Sequence, residues 1–169
     1  MTISIARRAF AAIAVLGALA LPATALAATI DGTPGNDTLV GTANPDTIHG
    51  YAGRDTISGR GGGDWLYGGA NADLVYGNAG PDHIFGGSGA DLLRGGDGAD
   101  VISGGDGPDR IRGGAGTDTI YGNDGNDVIA VGYDRAADLV RCGAGWDKVY
   151  AGANDVVGPS CEVVIRVNS

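Results

Sequence analysis

Aliphatic residues return along this chain at strict nine-residue intervals: Leu39, Ile48, Ile57, Leu66, Val75, Ile84, Leu93, Ile102, Ile111, Ile120 and Ile129. Each is framed by short polar or glycine-rich stretches. The pattern predicts a strand stub of three residues per unit, with the central aliphatic pointing one way and its neighbours the other. One aliphatic per nonapeptide cannot build a core alone. Stacked units can, by laying Ile and Leu in continuous rows between two small parallel sheets. A fixed short period of this kind marks a solenoid.

Two residues before each aliphatic stands an aspartate, and the set runs without a register slip: Asp37, Asp46, Asp55, Asp64, Asp73, Asp82, Asp91, Asp100, Asp109, Asp118 and Asp127. Glycine stands five residues before every one of them, and Gly or Asn two residues before. The first six residues of the unit therefore suit a tight turn, because glycine tolerates positive φ and close backbone approach. Asn44 and Asn71 take the place of the later glycine, and Asn is the next most tolerant residue in that backbone region. The cleanest copies read Gly-Gly-Ser-Gly-Ala-Asp-Leu-Leu-Arg at 86–94 and Gly-Gly-Asp-Gly-Ala-Asp-Val-Ile-Ser at 95–103.

A single aspartate in such a turn could simply accept hydrogen bonds from turn amides. Eleven in phase raise a different problem. Stacking would set same-side carboxylates about 4.8 Å apart, where they repel unless something positive lies between them. No lysine or arginine recurs in the rows, so a hard, oxygen-seeking cation is the natural solution. Flexible multi-oxygen coordination favours Ca²⁺ over Mg²⁺. Same-side pairing of eleven aspartates leaves nine gaps, hence nine complete sites at most.

The nonapeptide resembles the RTX, or haemolysin-type, calcium-binding repeat, Gly-Gly-x-Gly-x-Asp-x-aliphatic-x, across 32–131. The resemblance implies an all-β fold: a right-handed parallel β-roll, or β-solenoid, with two repeats per turn. It also implies rows of calcium ions in the turns, each held by aspartates of neighbouring turns together with backbone carbonyls. The eleven aspartates named above are the ligands it assigns. The copies around Pro34/Gly35, Asn44 and Asn71 depart from the full pattern and weaken the sites nearest Asp37, Asp46 and Asp73.

Three segments are expected. Residues 1–27 read as a secretory signal peptide, with Arg7-Arg8, an apolar run from Ala9 to Leu21 and Ala25-Leu26-Ala27 as the cleavage signal. The apolar run is shorter than the ~20 residues a membrane span requires. Residues 28–131 form the roll, opened by the stub Ala28-Thr29-Ile30. Residues 132–169 form degenerate repeats and a cap: the period stumbles after Asp127, then resumes at Asp138 and Asp147, and Asp155 follows one residue short. Solenoids need such caps to hide their last apolar layer. This tail resembles the C-terminal ending of secreted family members. Cys142 and Cys161 are the only cysteines, and in an exported chain a disulfide between them is the favoured reading, with a metal or catalytic thiol as the alternative.

Charge narrows the partners. Loss of the leader removes Arg7 and Arg8 and takes the net charge from −9 to −11, which argues against nucleic acid. It also implies self-repulsion in the metal-free chain, so metal should supply much of the folding free energy. His49 and His83 belong to no hydrolase or zinc-protease signature, and no Gly-x-Ser-x-Gly elbow is present, so the chain reads as no enzyme. Alternate repeats would share a face. One face would gather His49, Trp65, Tyr67, His83, Phe85 and Tyr121, the other Leu74, Tyr76, Leu92, Arg94, Arg110 and Arg112. The aromatic face is a candidate docking surface for a protein or polysaccharide, or else a coat of β-favouring residues. The resulting expectation is a secreted, extracellular calcium-binding roll serving as a structural or binding module. The alternative is a non-catalytic accessory module, or a distant relative of an extracellular polysaccharide-modifying enzyme.

Overall fold

The computed structural model describes residues 4–6, 26–132 and 134–167. The expected leader, 1–27, therefore lies outside the described residues apart from the strand Ser4–Ala6 and the last two positions. No helix among the described residues is long and apolar enough to cross a membrane.

Among the described residues every element is a strand, and every pairing is parallel. The first sheet stacks nine strands in the order Ser4–Ala6, Thr29–Asp31, Thr47–Ala52, Trp65–Ala70, His83–Ser88, Val101–Asp106, Thr119–Asp124, Leu139–Ala144 and Val156–Val157. The second stacks eight: Thr38–Val40, Thr56–Gly61, Leu74–Ala79, Leu92–Asp97, Arg110–Ala115, Val128–Ala130, Lys148–Ala151 and Val163–Arg166. Successive repeats alternate between the sheets, so two repeats make one turn of the β-solenoid. Partners in the regular stretch lie eighteen residues apart, as Ile48 on Leu66 and Ile57 on Val75.

The core is the predicted double row. Ile48, Ile57, Leu66, Val75, Ile84, Leu93, Ile102, Ile111, Ile120 and Ile129 are buried between the sheets, and Val131, Val140, Cys142, Val149 and Ala151 extend the rows into the tail. Burying each large aliphatic contributes about 1.5–3 kcal/mol, in a layer only one side chain deep per sheet. Ile30 and Leu39 close the rows at the N-terminal end, half-buried.

The strands are longer than the three-residue stubs read from the sequence: Trp65–Ala70 and its like run for six residues, through the glycines. Pairing resumes beyond the glycine that follows the outward residue, with Tyr51 on Gly69 and Ala52 on Ala70. This is possible because the chain turns at that point through positive φ. Gly69 does so at φ 114°, and Tyr51, Arg60, Asn78 and Asn123 are held at φ 74–81° in the equivalent position. Of the two asparagines in the later glycine position, Asn71 takes the positive φ (79°) and Asn44 does not. Asn44 precedes Pro45, and a residue before proline is driven to extended backbone.

Candidate metal centre

Two kinds of glycine build each turn. The positive-φ glycines bend it. The other, five residues before each aspartate, faces inward and is kept bare by close approach. A Cβ on Gly68 would stand 2.6 Å from the Gly86 carbonyl oxygen, one turn on, and 2.7 Å from Asp73 Oδ2. Each repeat of the regular stretch thus reserves a small space where a carboxylate oxygen and a main-chain carbonyl converge, and any side chain would fill it.

The aspartates line this space in two rows, one per edge of the roll. All from Asp46 to Asp127 are buried. Their two carboxylate oxygens have different fates. Oδ1 accepts a hydrogen bond from the backbone N–H of the aspartate one turn earlier: Asp64 from Asp46 at 2.8 Å, Asp82 from Asp64 at 2.8 Å, Asp109 from Asp91 at 2.9 Å. The amide alternative weighed from the sequence is therefore half correct, with the bond running between turns and not within one. It places a donor between carboxylates that would otherwise meet unscreened. Oδ2 is another matter. In Asp55, Asp64, Asp73, Asp82, Asp91, Asp100, Asp109, Asp118 and Asp127 it is buried and has no hydrogen-bond partner, and the same holds for Asp147.

An ionised oxygen buried without a partner is costly. The pKa shifts register it. Asp73 is pushed up to about 6, and Asp82, Asp109 and Asp118 to about 7. Burial is the main cause, the amide from the preceding turn opposes it, and same-side aspartates add to it. Asp55, Asp64, Asp91, Asp100 and Asp127 are raised for the same leading reason. A divalent cation would remove the penalty. The donors at hand are all oxygens, one carboxylate plus carbonyls, as Ca²⁺ prefers. Among the described residues no three acidic, histidine or cysteine side chains converge on one point, so main-chain oxygens must complete any such site.

Both ends of the rows depart from this scheme. At the N-terminal end, Thr33 donates to Asp37 Oδ2 from its backbone N–H (2.6 Å) and hydroxyl (2.9 Å). Thr42 does the same for Asp46 (2.6 and 3.0 Å). At the other end the rows continue beyond Asp127, the last ligand expected from the sequence. Asp138 accepts from Asp118, Asp147 from Asp127, Asp155 from Asp138, and Glu162 Oε2 closes the second row on the Asp147 amide at 2.7 Å. Two of these steps span twenty residues because the turn after Asp127 is longer. Asp134 repairs it by accepting from the Gly116 and Ala136 amides. Asp127 is consequently an interior member of its row, not the terminal one that the nine-residue count implied. In this tail the inward glycine is gone. Val131, Cys142 and Ala151 stand in its place, all buried. The spacing signal for Asp138 and Asp147 was visible in the sequence; the replacement of the inward glycine acquires meaning only once its direction is known.

The last turn carries its own cation. Arg166 Nη1 donates to the carbonyls of Gly152 (2.6 Å) and Asp155 (3.1 Å), while the Gly152 amide satisfies Asp155 Oδ2. Cys142 and Cys161 form a disulfide, Cα–Cα 5.2 Å, that ties this cap to the core. The closed loop stabilises the cap by about 3 kcal/mol in the loop-entropy model.

His49 and His83 sit on the outer surface of the first sheet, with rings stacked on Tyr67 (4.8 Å between centroids) and Trp65 (4.1 Å). His49 Nδ1 lies 3.2 Å from Asp31.

No curated protein matches the chain. The family model for the RTX calcium-binding nonapeptide repeat matches in four copies, at 31–66, 58–93, 67–102 and 94–129. Those copies span most of both sheets and all of the turns in which Oδ2 is orphaned over a bare glycine. The chain belongs to the RTX calcium-binding nonapeptide repeat family, whose repeats bind Ca²⁺.

Proposed function

We propose that this is a secreted, non-catalytic calcium-binding module whose roll forms as the ions fill its turns. Its metal ligands are drawn from the eleven aspartates Asp37 to Asp127. Within that set, the nine from Asp55 to Asp127 combine an orphaned Oδ2 with a bare inward glycine and hold the principal sites. The number equals the count of same-side gaps but has another origin: the Thr33 and Thr42 hydroxyls and amides already occupy Asp37 and Asp46. The observation that carries the reading is the unbroken row of buried, partnerless carboxylate oxygens. A core one aliphatic deep and a net charge of −9 leave little to offset it without cations. The leader-like 1–27 and the Cys142–Cys161 disulfide support export to an oxidising compartment.

The aromatic face enters as a second element of this reading. His49, Tyr67 and Phe85 stack ring on ring, as do Trp65 and His83, at interplanar angles of 5–16°. Ring faces are thus spent on one another along the roll, which favours the coat over the docking platform. A protein or polysaccharide ligand there would meet ring edges and the two ends of the stack.

The test is calcium titration of the exported chain, followed by far-UV circular dichroism and by calorimetric stoichiometry. Extracellular calcium modules work at about 10⁻⁴–10⁻³ M, so β structure is expected to emerge in that range. Full β structure persisting in metal-free buffer at neutral pH would overturn calcium-dependent folding.

A further inference from the structure

The last coil of the roll is fastened but not covered. The Cys142–Cys161 disulfide and the Arg166 guanidinium hold it in place. Among the described residues nothing closes the aliphatic rows beyond it. Val149 is fully buried, whereas Val164, its partner one coil on, is 39 % exposed. Val157, which follows Val140 in the other row, is only partly buried. The first coil likewise ends in the half-buried Ile30 and Leu39.

The sheet edges are as open as the rows. Thr38–Val40 and Val163–Arg166 are the outermost strands of the second sheet, and Val156–Val157 ends the first. An edge strand presents unpaired N–H and C=O groups, and proteins usually blunt it with charge, proline or a bulge. Thr38-Leu39-Val40 carries neither charge nor proline, and Val163-Val164-Ile165-Arg166 has one charge, at its end.

The remaining edge shows what such a place accepts. Thr29–Asp31 receives Ser4–Ala6 as a parallel strand, with Ile5 in register on Ile30. That strand belongs to the leader and departs with it on export. Without it each sheet holds eight strands, nine less one in the first and eight in the second. The chain then begins with a strand of the first sheet and one of the second, Thr29–Asp31 and Thr38–Val40. It ends in the same order, with Val156–Val157 and Val163–Arg166. A second copy stacked on the end of the first therefore meets both open edges at once and in parallel, with Val157 toward Ile30 and Val164 toward Leu39. The aspartate ladder runs on as well. Asp46, Asp55 and the members that follow each take, on Oδ1, an amide from the coil before, but among the described residues no group donates to Asp37 Oδ1. In a stack the Glu162 amide of the preceding copy would fall there.

We infer that, once the leader is gone, the C-terminal end of one chain docks on the N-terminal end of a second, so that both sheets continue as one longer roll. The inference rests on the secreted, calcium-loaded roll of the preceding section. The contact is head-to-tail, joining unlike surfaces, so it does not close on itself and yields rods. An unrelated strand could add to one edge; another copy of this roll offers two, in the required order and direction. No ion is needed at the joint, because Asp37, Asp46 and Asp155 are already satisfied by Thr33, Thr42 and Gly152. Two aliphatic pairs beside the strand pairing make a small interface, hence a weak and concentration-dependent one.

The experiment takes the exported chain, residues 28–169, loaded with calcium, through about 10⁻⁵–10⁻³ M in sedimentation velocity and small-angle scattering. Apparent mass is expected to rise with concentration, and the particles to lengthen while their cross-section stays that of one roll. Leu39→Lys closes the N-terminal end with a charge and Val164→Lys the C-terminal end, and each alone is expected to weaken self-association about tenfold or more. Mixed together, the two variants should form dimers and nothing larger, since each keeps one good end. Val164→Lys, at a site already exposed, serves by itself if Leu39→Lys folds poorly. Circular dichroism of the same samples reports calcium-dependent folding separately, so missing association with β structure intact counts against this inference alone. Three results overturn it: folded wild-type protein of one mass throughout the range, association that thickens the particle, or undiminished association of Val164→Lys.

Discussion

The middle of the roll and its two ends are built from the same aspartate ladder, yet they treat the second carboxylate oxygen in opposite ways. From Asp55 to Asp127 it is buried over a bare glycine and left without a partner. At Asp46 a threonine amide and hydroxyl take it up, and at Asp155 the Gly152 amide does, with Arg166 bound to the carbonyls alongside. Asp147 in the tail shares the orphaned oxygen of the middle, but the outermost members Asp37, Asp46 and Asp155 are satisfied by the protein's own groups. Terminal coils have a neighbour on one side only and lose the most if they depend on an ion that exchanges with solvent. On the calcium-dependent folding proposed above, protein groups in place of the cation are expected to hold the caps folded with or without calcium, leaving the interior coils as the part that responds to it.

The sharpest way to break this contrast is pH in metal-free buffer. Asp73, Asp82, Asp109 and Asp118 titrate at about 6 to about 7 in the roll, against about 3.9 for an unfolded aspartate. Between those limits the folded chain holds protons that the unfolded chain has released, so unfolding free energy falls as pH rises through the window. Protons should therefore stand in for calcium. Metal-free protein is expected to show substantial β structure near pH 4.5 and to lose it by pH 7.5, and the calcium midpoint should climb as pH falls below 7. A flat profile would mean the interior carboxylates are not what destabilises the empty roll.

A smaller effect separates interior from end directly. Asp91→Asn removes an orphaned oxygen flanked by same-side aspartates on both sides, whereas Asp37→Asn alters a carboxylate already held by Thr33. The first should raise the calcium midpoint about fivefold, the equivalent of ~1 kcal/mol, and the second by much less. Equal shifts in a titration followed by circular dichroism would dissolve the distinction.

The smallest effect converts an end into middle. Thr42→Gly/Asn44→Gly rewrites the turn before Asp46 to Gly-Gly-Ala-Gly-Pro-Asp, which matches 104–109 at every position but Ala43, where Asp106 stands; Gly107 there takes positive φ ahead of proline. Calorimetry should then count one more calcium per chain. An unchanged stoichiometry would show that more than the threonine closes that site.

The roll was legible in the sequence because its determinants are local and periodic. The inward Ile48, Leu66 and Ile84 announce themselves by position, and so does the alternation that sends Trp65 and Tyr67 to one face and Arg110 and Arg112 to the other. The site was legible as to residue type but not as to wiring. Nothing about Asp82 alone reveals that Oδ1 is taken by an amide eighteen residues back while Oδ2 is free, because the two oxygens are distinguished only by the neighbouring turn. The threonines were hidden for a related reason: Thr42 reads as one more departure from a glycine until its hydroxyl is seen against Asp46. Strand length was underread because the glycines that bend the turn also carry ladder pairing, as Gly69 does on Tyr51 and on Gly87.

Alternation between the sheets gives the chain a parity. Odd and even repeats are not interchangeable, since each keeps to its own sheet. Excising two adjacent nonapeptides would shorten the roll and leave every downstream strand on its own side. Excising one would flip all of them, carrying Arg94, Arg110 and Arg112 onto the sheet of His49 and Tyr67 and splitting both surface columns. Extra residues within a turn are harmless by comparison: the long turn between Asp127 and Asp138 changes the step from eighteen to twenty and shifts no strand to the other side. A protein of this design can vary freely in the length of its turns, but it can gain or lose repeats only in pairs.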